Sequence, residues 1–304
     1  MSDTLLKRLA IGLATLVALW LIAAWFRADP EPGATTFALP VVDTALVDSI
    51  VIQRPADRVS LRRTDAGWTV NGHLTDSAAL ATFLDVFGEE TRADLVAMNP
   101  SSHSRLEVDD AQGRTLRVYQ EGDLSSELIV GKRGASFQNV YLRRTGEDRV
   151  YEVQTSLATH VDRALDDWRN KRLATIDADS VGEVAIRRGG TPVMVRREAD
   201  SSWTVNGAPA DADAVRRLLD QFSSLNASGF PRPEQRDSID FADPEREVTV
   251  RDRESQLLVE MVMDSAAAGF WVQKTGDSIV YRLDRFRVNQ LTPADSTLRV
   301  NPGG

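Results

Sequence analysis

The pentapeptide Trp68-Thr-Val-Asn-Gly72 occurs a second time as Trp203-Thr-Val-Asn-Gly207, 135 residues further along the chain. Such a duplication restricts the chain to folds assembled from two similar units. The offset then holds without a gap, because Leu80, Phe83, Leu84 and Phe87 align with Val215, Leu218, Leu219 and Phe222. Both sets keep the i, i+3, i+4, i+7 spacing that lays one apolar stripe along a helix. Upstream of each tryptophan the period changes to two. Residues 49–53 and 183–187 read as first strands, and residues 59–62 and 193–196 as second strands. In the third strands Trp68 with Val70, and Trp203 with Val205, are expected to face inward. The Asn-Gly pairs turn the chain, after which Thr75 or Asp76, and Asp211 or Asp213, suit helix N-caps.

Beyond each helix the alternating pattern returns, at residues 114–119, 126–130, 139–143 and 149–153, and again at 256–261, 269–274 and 278–283. Between the halves, residues 156–173 are expected to form one bridging helix with Leu157, Val161, Leu165 and Trp168 on one face. The second half also inserts a proline-rich stretch, residues 230–244. Two α+β units are therefore expected, each a mostly antiparallel sheet packed with a helix.

The apolar run from Leu9 to Phe26 contains no charge in eighteen residues. At about 1.5 Å per residue it would extend roughly 27 Å, close to the hydrocarbon thickness of a bilayer. Lys7 and Arg8 precede it, whereas Arg27, Asp29 and Glu31 follow, so an N-terminal transmembrane helix with its N-terminus in the cytoplasm is expected. A cleaved signal peptide fits less well, since Ala23 and Ala24 are adjacent and bulky Trp25 and Phe26 follow. The organisation then reads as a cytoplasmic tip and anchor (1–27), a proline-containing spacer (28–42), a first repeat with bridging helix (43–175), a second repeat (176–295) and a tail (296–304). Setting aside Lys7, Arg8, Arg27 and Asp3 leaves 33 basic and 44 acidic residues, about −11 outside the anchor. That balance opposes a nucleic-acid partner. Absence of cysteine removes thiolate metal sites and cysteine nucleophiles, and two ordinary cores without disulfides suit an exported protein.

No constellation in the sequence carries recognisable catalysis. His73, His103 and His160 are scattered, without a metal-binding spacing. Residues 131–134, Gly-Lys-Arg-Gly, resemble a phosphate cradle but lack its spacing. Asp177 and Asp179 begin like a calcium loop, which then fails at Val181 and Arg188. Asp162 and Asp166 stand four apart on the expected bridging helix, with Asp167 beside them; ion pairing on a solvated face is their commoner use. The pairs Arg62-Arg63, Arg143-Arg144, Arg187-Arg188 and Arg196-Arg197 fall at strand ends, where they could meet an anionic surface or protect a sheet edge. Trp68 and Trp203 could stack on a ligand, although their equivalence in both halves favours packing. No catalytic, metal or cofactor residue is assigned, and the chain is expected not to be an enzyme.

The duplicated strand-turn-Trp-x-Val-Asn-Gly unit, the following helix, and residues 167–173, Asp-Trp-Arg-Asn-Lys-Arg-Leu, leading into Ile176-Asp-Ala-Asp179 resemble the bacterial domain-of-unknown-function family numbered 4340. Members of that family are often encoded beside gliding-motility-type ABC transporter components. The resemblance implies a single-pass, inner-membrane-anchored periplasmic accessory module whose partner is a transporter permease or auxiliary subunit. The alternative expectation is a periplasmic solute- or polymer-binding protein using a cleft between the repeats.

Overall fold

The computed structural model describes residues 37–300, apart from positions 38, 41, 89 and 90. The chain divides into two compact units, Met1–Trp168 and Arg169–Gly304. The first unit opens with β1 (Val47–Gln53), β2 (Arg58–Thr64), β3 (Gly67–Val70), β4 (His73–Leu74) and helix α1 (Ser77–Asp85). It continues through β5 (Ala93–Ala97), α2 (His103–Leu106), β6 (Arg114–Gln120), β7 (Asp123–Arg133), β8 (Asn139–Arg144) and β9 (Val150–Gln154). Helices α3 (Leu157–Val161) and α4 (Leu165–Trp168) close it. Its nine strands form one antiparallel sheet in the order β4-β3-β2-β1-β6-β7-β8-β9-β5.

Period-two alternation decides which face of this sheet is covered. Ile50 and Ile52 on β1, Val59 and Leu61 on β2, and Leu116 and Val118 on β6 all turn into one core. Leu80 and Phe83 of α1, with Leu157, Val161 and Trp168 of α3 and α4, fill it from the helical side.

The second unit starts with β10 (Arg172–Ala174), which pairs with β15 (Leu225–Asn226) as a two-stranded ribbon. Its main sheet comprises β11 (Val181–Arg188), β12 (Thr191–Arg197), β13 (Trp203–Val205), β14 (Ala208–Pro209), β16 (Arg246–Asp252), β17 (Leu257–Ala266), β18 (Gly269–Lys274) and β19 (Val280–Leu283). Helices α5 (Ala212–Ser223), α6 (Pro233–Arg236) and α7 (Arg285–Leu291) complete it. The order β14-β13-β12-β11-β16-β17-β18-β19 repeats that of the first sheet without its last strand. Among the described residues an isolated bridge between Gly229 and Arg282 lies in that place. Pro231 and Pro233 follow at once; lacking N–H groups, they cannot extend a ladder.

Repetition reaches the hydrogen bonds. Asn71 and Asn206 adopt left-handed φ values of 46° and 49°. Each side-chain oxygen accepts from a strand amide, Ser60 N at 2.7 Å and Met194 N at 2.8 Å, which explains the asparagine in both copies of the motif. Asp76 caps α1 by accepting from Ala79 N at 2.9 Å, and Asp211 caps α5 by accepting from Asp213 N and Ala214 N at 2.9 Å. Asp211→Ala is expected to cost about 1 kcal/mol. Urea unfolding measures it; an unchanged midpoint would show that the cap contributes nothing.

Several expectations are corrected. The bridging helix is broken into α3 and α4, because Arg54 Nη1 donates to the carbonyls of Val161 (3.3 Å) and Arg163 (2.7 Å) where helical amides would have bonded. The expected membrane-anchored architecture is corrected to its α+β part. Among the described residues no helix is long and apolar enough to cross a membrane. The longest of them, α5, has 12 residues, about 18 Å, and buries only one face. The run from Leu9 to Phe26 lies outside the described residues. The expectations that rested on it are corrected likewise: the single-pass accessory module, the membrane and transporter-subunit partners, and the inner-membrane location with a cytoplasmic N-terminus.

Candidate binding site

Residues singled out in the sequence occupy separate and mostly structural places. His73 is half-buried on β4, and His103 donates from Nε2 to the Asp148 carbonyl at 2.9 Å. His160 is buried, its ring stacked on Phe83 at 5.3 Å between centroids and 6.5 Å from that of Trp168. Burial, with Arg163 adding to it, pushes this imidazole down to about 4, so the ring is neutral near pH 7. A Cβ at Gly131 would meet the Leu106 carbonyl, and one at Gly134 the Glu152 carboxylate. Close packing and a carboxylate thus stand where a phosphate cradle would need open amides.

The break between α3 and α4 takes Asp162 and Asp166 off a common helix. Asp162 instead lies 3.2 Å from Arg114 Nε, and Asp166 and Asp167 occupy the first turn of α4. Asp177 caps a short turn by accepting from Asp179 N at 3.0 Å. Trp68 and Trp203 are half-buried against their cores, each beneath the guanidinium of its ladder partner, Arg63 at 5.4 Å and Arg197 at 5.7 Å. Among the described residues no group of three or more His, Asp or Glu side chains could hold a metal ion.

What the structure does assemble is an open hollow of about 590 Å³ in the first unit, beside the ends of β7 and β9. Its most exposed member is Phe137, at 86%. Arg133 at the end of β7 holds this residue in place: Nη1 donates to the Phe137 carbonyl at 2.9 Å, and the guanidinium carbon lies 5.5 Å from the ring centre. Gln138 and Gln154 form the polar wall, joined by a 3.0 Å bond from Gln154 Nε2 to Gln138 Oε1. The backbone beneath is fixed by Thr155 N donating to Gln138 O at 2.9 Å. Ser156 and Thr159 complete the rim with hydroxyl groups.

A second hollow, about 620 Å³, is lined from α1, α3 and α4 and shares Thr159 with the first. Ala79 and Thr82 of α1 line it with Arg163. The second unit repeats this hollow along α5, at about 280 Å³, with Ala214 and Arg217 in the places of Ala79 and Thr82. Arginine for threonine adds bulk at the equivalent position, and the more open surface belongs to the first unit.

The profile described as Domain of unknown function (DUF4340) matches residues 68–244, more than half of the chain. The chain belongs to the DUF4340 family. The DUF4340 match begins at the first Trp-Thr-Val-Asn-Gly motif and takes in the second. Comparison with curated proteins and with solved structures found no match to either. No functional residue in the hollow is therefore inherited from a characterised relative.

Sequence reasoning missed Phe137 and the two glutamines. A single aromatic in a loop between strands breaks no period and completes no motif. The available signal was an Arg-x-x-x-Phe-Gln segment, residues 133–138, carrying a large apolar residue where turns are ordinarily polar.

Proposed function

We propose that this protein is a binding module, acting without catalysis, whose first unit takes a polar polymer segment of sugar type. The observation that carries the reading is Phe137, an exposed ring held against Arg133 at the edge of an amide- and hydroxyl-lined hollow. A sugar ring offers an apolar C–H face for the phenyl ring and hydroxyls on its rim for the two amides. Few precisely placed polar groups beside an aromatic surface are the usual makeup of a small-ligand site. The hollow also has one cation, Arg133, and no carboxylate among its lining residues, so an acidic sugar would be tolerated. Non-catalytic action is supported by the engagement of the candidate groups elsewhere: His103 bonds a carbonyl, His160 is enclosed by aromatic rings, and Asp162 pairs with Arg114.

Native gels cast with individual soluble polysaccharides test this directly. Retardation of the wild-type protein by at least one neutral or acidic polysaccharide is expected, with loss of most of it in Phe137→Ala. An exposed aromatic anchor of this kind contributes on the order of 1–2 kcal/mol, roughly a tenfold change in affinity or more. Equal retardation of both proteins, or none in any gel, would overturn the reading.

A further inference from the structure

The two units carry equivalent arginines in different charge surroundings. In the first unit Arg54, just after β1, pairs with Asp57 (Nη2 to Oδ2, 2.6 Å), and Arg114, opening β6, lies 3.2 Å from Asp162. The equivalent positions in the second unit are Arg188, which ends β11, and Arg246, which opens β16; they are partners in the ladder. Neither finds the carboxylate that its counterpart has.

Arg246 is 5% exposed and donates from Nη1 to two neutral oxygens, Asn289 Oδ1 at 2.7 Å and Thr292 Oγ1 at 2.9 Å. Thr292 is the C-cap of α7, as Asp162 is of α3, so a hydroxyl stands where the first unit has a charge. The Nε of Arg246, like that of Arg114, has no hydrogen-bond partner, so the two arginines differ in the nearby charge and not in this atom. Its nearest carboxylate is Glu245, 3.6 Å away and 44% exposed. A third guanidinium comes from Arg285 at the start of α7. Arg246 and Arg285 both lie over the Phe270 ring, at 4.8 and 5.4 Å from its centre. Among the described residues Arg188 and Arg285 make no ion pair. Burial first, and Arg188 second, hold Arg246 below the usual guanidinium range, whereas the Glu247 partner of neighbouring Arg187 holds that residue above it.

We infer that Arg188, Arg246 and Arg285 make a binding site for a phosphate-type oxyanion, Arg188 and Arg285 touching the ligand and the buried Arg246 acting from behind. Three guanidinium groups against one carboxylate leave a local excess that matches a dianion, on a chain whose formal charge is −9. Like charges gathered beside a low-dielectric core repel, and a bound anion offsets that cost. Planar N–H forks suit the paired oxygens of a phosphoryl group. This site belongs to the second unit, and none of its residues lines the hollow around Phe137.

Calorimetric titration of the full chain with inorganic phosphate, at constant ionic strength in chloride, tests the inference. Arg188→Gln and Arg285→Gln are each expected to weaken phosphate binding about tenfold or more, the usual worth of a charge-assisted contact. Arg216→Gln removes the same charge from an exposed pair with Asp213 on α5 and should leave the affinity within about twofold. Glycerol phosphate distinguishes the source. Binding at least as tight as phosphate assigns an esterified group, and binding of phosphate alone assigns the free ion. No phosphate binding by the wild type, or equal affinities in all three variants, would overturn the site.

Discussion

Trp168→Ala lowers the free energy of unfolding of the first unit by about 3–5 kcal/mol, the range for removing a fully enclosed large aromatic side chain. Trp168 is 0% exposed and ends α4 against the helical side of the core. Its ring meets Phe83 edge-on at 5.4 Å, the Arg163 guanidinium lies 4.7 Å from it, and its carbonyl accepts from Asp76 N at 2.8 Å. The last of these is a backbone bond that ties α4 to the cap of α1 and survives the substitution; what the substitution removes is the ring packed against Phe83 and the core. The indole N–H has no hydrogen-bond partner among the described residues. Trp168→Phe strands no partner and should cost less than half as much. Urea unfolding followed by circular dichroism separates the two variants, and equal losses would mean that the ring's volume does not set the cost.

Acid should weaken the same core through His160. Its ordinary value of 6.5 applies to the unfolded chain, and burial brings the folded value to about 4. Between those limits the unfolded chain binds a proton that the folded chain refuses, so stability rises with pH across the window. The contribution is complete above about pH 6.5, is lost as pH falls, and reaches its floor below about pH 4. A separation of this size corresponds to up to about 3 kcal/mol. His160→Phe keeps a flat ring against Phe83 and removes the titration. Unfolding free energies compared at pH 7 and pH 4.5 should differ less in the variant than in the wild type. Carboxylates also titrate near the lower value in both proteins, so the difference between the two pH responses is the informative quantity. Identical responses would contradict the assignment to His160.

The duplicated fold was legible because its signals are local. Alternation in 49–53 and 59–62, the Asn-Gly turn and the stripe through Leu80 and Phe83 each require only neighbouring residues, and the same signals recur 135 positions later. The broken bridging helix was not legible, since Arg54 caps α3 from more than a hundred residues upstream. Nor was the ninth strand: β5 pairs with β9 across a long stretch of chain, Ala93 with Val153, and the second sheet lacks its counterpart where the proline-rich stretch lies. The arginine cluster was half visible. The sequence marks Arg187 and Arg188 as a pair at a strand end, but β11 sends them to different surroundings, Arg187 to Glu247 and Arg188 toward Arg246. Comparison of the two repeats, with Arg114 facing Asp162 and Arg246 facing Thr292, reveals the missing carboxylate only in three dimensions.

The hollow around Phe137 was the least legible of all, because its parts come from β7, the following loop, β9 and α3. It is also where the functional reading rests. Saturation-transfer NMR with an oligosaccharide cut from a polysaccharide that retards the protein tests the central claim most directly. The account predicts transfer to the sugar's ring C–H protons in the wild-type protein, and its loss in Phe137→Ala under the same conditions. Undiminished transfer to those protons in Phe137→Ala would contradict it.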